Sequence, residues 1–183
     1  MKIINKTSLL LFILTIFSCR KNGKVVRYYD DGQVSSIEFY KEGKLDSLAL
    51  YYDVNGDLES KITYHEGVLE GCMTLYKKGR LQSVSFFKDD KEDGEVRSWY
   101  NDGQLQSVDN RIEGIQEGVE LHYYKNGKMF SEGQNSKGVE TGVWRYYYDN
   151  GILKKKGKYI GGFESGIWVF YDSTGVVLKK EKY

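Results

Sequence analysis

Few residues in this chain have the types and spacing that covalent chemistry needs. There are two histidines, His65 and His122. Neither has cysteines or carboxylates around it at metal-ligand spacing, so no metal and no cofactor is expected. His65 stands just before Gly67 in a turn and reads as solvated. His122 precedes a tyrosine pair at a place where sister stretches hold Tyr146 and Phe170, and reads as an ordinary strand side chain. Glu70, Glu117, Glu140 and Glu164 recur with the turns, which is the placement of solvated loops rather than of a general acid and base. Nothing has the form of a nucleophile elbow, a P-loop or a dinucleotide fingerprint. The expectation is a protein that is not an enzyme.

The side chains with most to offer a ligand are aromatic. The chain has 16 tyrosines, 8 phenylalanines and 3 tryptophans, with 21 glycines and no proline. These are strand formers and turn formers. They are also periodic. A glycine recurs at Gly32, Gly56, Gly79, Gly103, Gly127, Gly151 and Gly175, in steps of 23 or 24. Two residues after each stands an apolar side chain, from Val34 to Val177. Three or four residues before each stands a tyrosine: Tyr29, Tyr52, Tyr76, Tyr100, Tyr124, Tyr148 or Tyr171. Halfway round, Gly67, Gly114, Gly138 and Gly162 are each followed four residues later by another glycine. Asp90 replaces the first glycine of that pair in one unit and Ser47 replaces the second in another. Polar surroundings exclude packed membrane helices, and a connection that needs positive φ explains the spacing.

The elements that must position the aromatics follow. Asn126-Gly127, Asn150-Gly151, Asp31-Gly32 and Asp102-Gly103 are hairpin signals. Each unit reads as strand, tight turn, strand, longer turn. The chain is therefore all-β: an elongated antiparallel meander of about seven successive hairpins in a single twisted sheet, about 65 Å across its strands. Contacts fall between neighbours, as in other repeat arrays. The tyrosine rows pack across the sheet, with their rings in contact and their hydroxyls expected in water. Adjacent residues face opposite ways, so one tyrosine of each pair is free to serve a binding face. Tyr123, Trp144, Tyr147 and Trp168 are the candidates, because the late units are richest in aromatics.

The unit, with its best copies at Gly142–Leu153 ("GVWRYYYDNGIL") and from Gly166 ("GIWVFYDSTGVV"), resembles the MORN repeat in its bacterial variant form. The resemblance covers about residues 24–183. It departs in the middle, where Val96 and Glu120 hold the tryptophan position and Arg111 and Asn135 hold an aromatic one. Those middle units are expected to pack less well. Bacterial proteins with this variant include the YwqK-like group, regarded as antitoxin or immunity components. The resemblance implies a chain that binds and neutralises a toxin.

Residues 1–18 read as a signal peptide: Lys2 and Lys6, an apolar run from Leu9 to Phe17, then Ser18-Cys19. "TIFSC" resembles a bacterial lipobox, which makes Cys19 the lipidated N-terminus and residues 19–23 a tether. The implied location is the cell envelope, anchored in the outer membrane if the organism has one. After cleavage the chain carries a net charge of −1, so nothing draws it to nucleic acid. Cys72 is then the second and last cysteine, expected buried as a small apolar residue. Charge is unevenly spread: residues 20–110 have a net of −4 and residues 111–183 a net of +3. Lys155, Lys156 and Lys158 recur one period later as Lys179, Lys180 and Lys182, a basic patch that either guards an edge strand or meets an acidic partner or anionic head groups. Three functions stay open: a tethered protein-interaction module, an antitoxin or immunity protein acting outside the cytosol, and a cell-wall or carbohydrate binder.

Overall fold

The computed structural model describes residues 22–183. The expected signal peptide and Cys19 lie outside the described residues. The described chain is all-β, with 17 strands in one open antiparallel sheet. The long strands pair in chain order, from Gly23–Tyr28 at one edge to Val177–Lys182 at the other. The two-residue strands Lys44–Leu45, Lys91–Glu92 and Ile115–Gln116 each pair back on the strand before them, which also pairs with the strand after. The result is the expected meander.

The two kinds of turn differ from their expected lengths. The turn at Asn126-Gly127 is the longer one. Gly127 N–H donates to the Tyr124 carbonyl at 2.9 Å, and Tyr124 N–H donates to the Lys128 carbonyl at 2.8 Å. The Asn126 side-chain oxygen accepts the Lys128 N–H at 3.0 Å, and Gly127 takes φ +79°. This is a three-residue loop whose last member must be left-handed. The halfway connection is the tight one. Lys137 and Gly138, both at positive φ, form a two-residue turn between Met129–Ser136 and Val139–Tyr147. The glycine four residues on is a β-bulge, where register slips and the ladder kinks. Asp90 meets the same backbone demand at φ +62°. Ser47 meets it at φ +87°, where only glycine sits without strain.

Units are stitched through the tyrosines. Tyr29, Tyr100, Tyr124 and Tyr148 each donate a hydroxyl proton to the backbone carbonyl of Tyr52, Tyr123, Tyr147 and Tyr171 respectively, at 2.6–2.8 Å. These hydroxyls are therefore spent inside the fold rather than left in water. Asn126 and Asn150 add side-chain N–H donations to the Asp149 and Ser173 carbonyls.

One face carries the core as a row running across the strands. It passes through Ala49, Ile62, Met73 and Ser85, then Val96, Asp109 and Glu120, then Gly133, Trp144, Gly157 and Trp168. Ala49, Ile62, Trp144 and Trp168 are buried. The tryptophans fit because glycines lie beneath them. A Cβ on Gly133 would stand 2.1 Å from the Trp144 ring, and one on Gly157 the same distance from Trp168.

Candidate binding faces

The core face ends in an aromatic cluster. Trp144, Tyr159 and Trp168 are buried, with Tyr146 and Phe170 packed against them. Tyr159 meets Trp168 edge-on at 5.1 Å and Trp144 at 6.0 Å, and Trp144 stacks on Tyr146 at 6.0 Å. Edge-on and offset pairs of this kind add to what area burial contributes. Burial, and then its hydrogen bond to Tyr159, raises the Tyr146 phenol far above its ordinary range.

Two expectations change here. Trp144 and Trp168 are 3% and 0% exposed, so neither is offered to a ligand. The four candidate aromatics also do not share a face. Trp144 and Tyr146 point to the core side, while Arg145 and Tyr147 point to the other by strand alternation. Tyr147 is half-buried there and donates its hydroxyl proton to Glu132 at 2.7 Å. Burial, then that bond, pushes its phenol up to about 12. Tyr123 is half-buried and its carbonyl receives the Tyr100 hydroxyl.

The basic patch also divides. Lys155 lies on the core face, 4.5 Å from the Tyr146 ring centre and 4.6 Å from that of Trp168, and it pairs with Glu164 at 3.3 Å. Lys179 lies over Phe170 at 4.7 Å and pairs with Glu181 at 2.7 Å. Both are employed in packing. Lys156, Lys158, Lys180 and Lys182 lie on the opposite face. They are exposed, and none pairs with a carboxylate among the described residues. Arg145 joins them, 3.5 Å from Glu132. Between them stand Val143, Ile160 and Ile167, all half-exposed or more, and Val169.

The middle units hold something the aromatic signature does not reveal. At the core row's polar section, Glu120 meets His122 at 2.6 Å and accepts a side-chain N–H from the buried Asn135 at 2.5 Å. Arg111 bridges Asp109 at 3.1 Å and Glu92 at 2.7 Å. The middle is thus filled by charge-assisted hydrogen bonds where an aromatic would sit. The bond to Glu120 holds His122 above its ordinary range, against the opposing effect of burial. The same bond holds Glu120 below its own. The signal in the sequence was the pair Glu120 and His122, two apart on one strand and hence on one face.

His65 is exposed and stands 3.4 Å from Asp46. Cys72 is half-buried rather than enclosed, its sulfur 3.6 Å from the Thr74 hydroxyl. Among the described residues, no group of three or more His, Cys, Asp or Glu is placed to hold a metal ion.

Two solved structures bear slight likeness to the fold. One is a S. aureus TarM mutant in complex with Fondaparinux, alpha-GlcNAc-glycerol and UDP, at TM-score 0.23 and 15% identity over 72% of this chain. The other is a second TarM structure at TM-score 0.23 and 16% identity over 68%. This chain spans 21% and 19% of their lengths, and likeness at that level carries no argument. No curated relative matches the chain. A family model does: residues 21–42, 92–111, 116–135 and 140–160 each match the MORN repeat variant, and it is to this repeat that the hairpin array is similar.

Proposed function

We propose that the protein is a non-catalytic binding module, held at a bacterial envelope membrane by a lipid on Cys19, that presents one face of its repeat sheet to a protein partner. One observation carries this reading: the two faces are unlike. The core face spends its aromatics and its cations on internal packing. The other face, over the last units, leaves four lysines without carboxylate partners among the described residues, beside half-exposed aliphatic side chains. Exposed apolar surface rimmed by polar side chains marks interaction sites. Burial of Trp144 and Trp168 weakens the carbohydrate-stacking alternative, since neither ring is available. The narrower reading, a toxin neutralised in the periplasm or at the surface, rests on resemblance to the YwqK-like group. It requires that a neighbouring toxin's lethality be relieved by this protein only when both occupy one compartment.

The test of the module is crosslinking in intact cells followed by pull-down. A protein partner recovered at stoichiometric yield supports it, and recovery of none overturns it. For the anchor, Cys19→Ala should move the protein from the membrane to the soluble fraction. A variant that stays with the membrane overturns lipidation at Cys19 as what holds it.

A further inference from the structure

We infer that the open face of the last units is a docking site for an acidic polypeptide segment that also carries apolar side chains. This rests on the binding-module reading and deepens it. The geometry comes from register. Across the strands, Arg145 lies beside Lys156, Lys156 beside Val169, and Val169 beside Lys180. One row over, Val143 lies beside Lys158, and Ile167 beside Lys182. Cations and aliphatics therefore interleave at neighbouring-strand spacing, about 5 Å. Arg145, Lys156, Lys158 and the aliphatics line a shallow groove of about 580 Å³ that also includes Ile160 and Ser165, and Lys180 and Lys182 stand on the edge strand beside it.

Charge complementarity selects the occupant. Of the five cations only Arg145 has a carboxylate within ion-pair distance among the described residues, and that contact is long at 3.5 Å. The acids nearest in sequence, Glu164 and Glu181, are turned to the core face and pair there with Lys155 and Lys179. An acidic ligand would relieve the mutual repulsion of the lysines and gain from each in turn.

The aliphatics select the class. Lysine side chains are longer than valine or isoleucine, so Val143 and Ile167 lie below the plane of the ammonium groups. A flat layer of lipid head groups, or a phosphate backbone, reaches the ammoniums and leaves the recess unfilled. A polypeptide can place carboxylates on the lysines and apolar side chains between them. That burial is what separates affinity from simple charge attraction.

The test uses the whole chain from residue 20 and a fluorescent ten-residue peptide of alternating Glu and Leu, with deca-glutamate, phosphatidylglycerol vesicles and a single-stranded DNA oligomer alongside. Binding is read by anisotropy or co-sedimentation at low and moderate salt. The Glu–Leu peptide should bind at least about tenfold more tightly than deca-glutamate. Lys156→Glu, Lys158→Glu, Lys180→Glu and Lys182→Glu together should weaken it at least about tenfold. The same change of charge at Lys41, Lys78, Lys88 and Lys125 should weaken it less than about threefold. Circular dichroism and urea midpoints establish that both variants are folded. Equal loss in the two variants overturns the inference, as does tighter binding to vesicles or DNA than to the peptide. So does concentration-dependent self-association that the face variant abolishes, which would assign the face to a second copy. Repeating the cellular pull-down with the face variant separates the two levels. A partner retained overturns this face while the module stands. No partner with either protein overturns the module.

Discussion

The last units and the middle units solve the same packing problem with opposite chemistry. In both, one backbone scheme leaves a space on the core face where two strands kink past a bulge. From residue 139 onward that space is filled by indole and phenol rings seated on glycine. Between residues 92 and 136 it is filled by two polar clusters, His122 and Asn135 on the Glu120 carboxylate and Arg111 between Asp109 and Glu92. A single open sheet has no second layer to cover it. Its core can therefore be either large rings that shield one another or polar groups that satisfy one another. Rings add dispersion and area burial. The polar network costs desolvation and repays it through geometry. The C-terminal region should accordingly be stiff and indifferent to pH, and the middle sensitive to pH.

The comparison can be broken in four ways, taken from the largest effect. Trp168→Ala should destabilise the fold by about 4 kcal/mol, because a fully buried ring is removed from a site that cannot collapse. Urea denaturation measures it, and a loss below about 1 kcal/mol would mean the rings are not the core of that end. Gly157→Ala should cost about 3 kcal/mol, since the new methyl meets ring carbons within 2.2 Å. The same change at Gly161, where nothing stands within 4 Å but φ is +61°, should cost about 1 kcal/mol.

Glu120→Ala should cost about 2 kcal/mol by stranding His122 and Asn135. Its pH signature is distinctive. His122 has a folded value above 6.5, so its contribution is complete below that and fades as pH rises through the folded value. Glu120 has a folded value below 4.5, so its contribution is complete above that and fades as pH falls through the folded value. The pair supports the fold most between about 4.5 and about 6.5. An NMR titration should place the His122 midpoint above 6.5 in the parent and lower in Glu120→Gln. Equal midpoints would remove the pair from the account. The smallest effect probes the backbone that both regions share. Ser47→Gly should stabilise by about 1 kcal/mol, because serine occupies a bulge where every sister residue is glycine.

The period was legible because turn chemistry is local. An Asx residue before a left-handed glycine, present at five of the seven turns, announces itself in two letters, and seven repetitions of the glycine leave no other architecture. Which turn was longer was not legible, since a bulge four residues after a glycine looks in sequence like extra loop. The fate of Trp144 and Trp168 was decided by Gly133 and Gly157, on neighbouring strands, whose role appears only once register is known. The division of the lysines was legible in principle: Lys155 and Lys156 are adjacent, and adjacent strand residues cannot share a face. The polar network was harder. Arg111, Asn135 and Glu120 look like lapses from an aromatic signature until their partners are seen.

The tyrosine stitch gives the array a direction. Each of the four donated hydroxyls reaches forward, toward the C-terminal neighbour. A unit is therefore finished by the one that follows it, and its own ring is finished by contributing onward. Such a chain is indifferent to how many units it contains, provided they are whole. Duplicating or deleting one full period would keep the backbone order of turns and bulges, whereas a cut of half a period would set turns against bulges. At the level of the backbone, a change in reach would not require a change in fold.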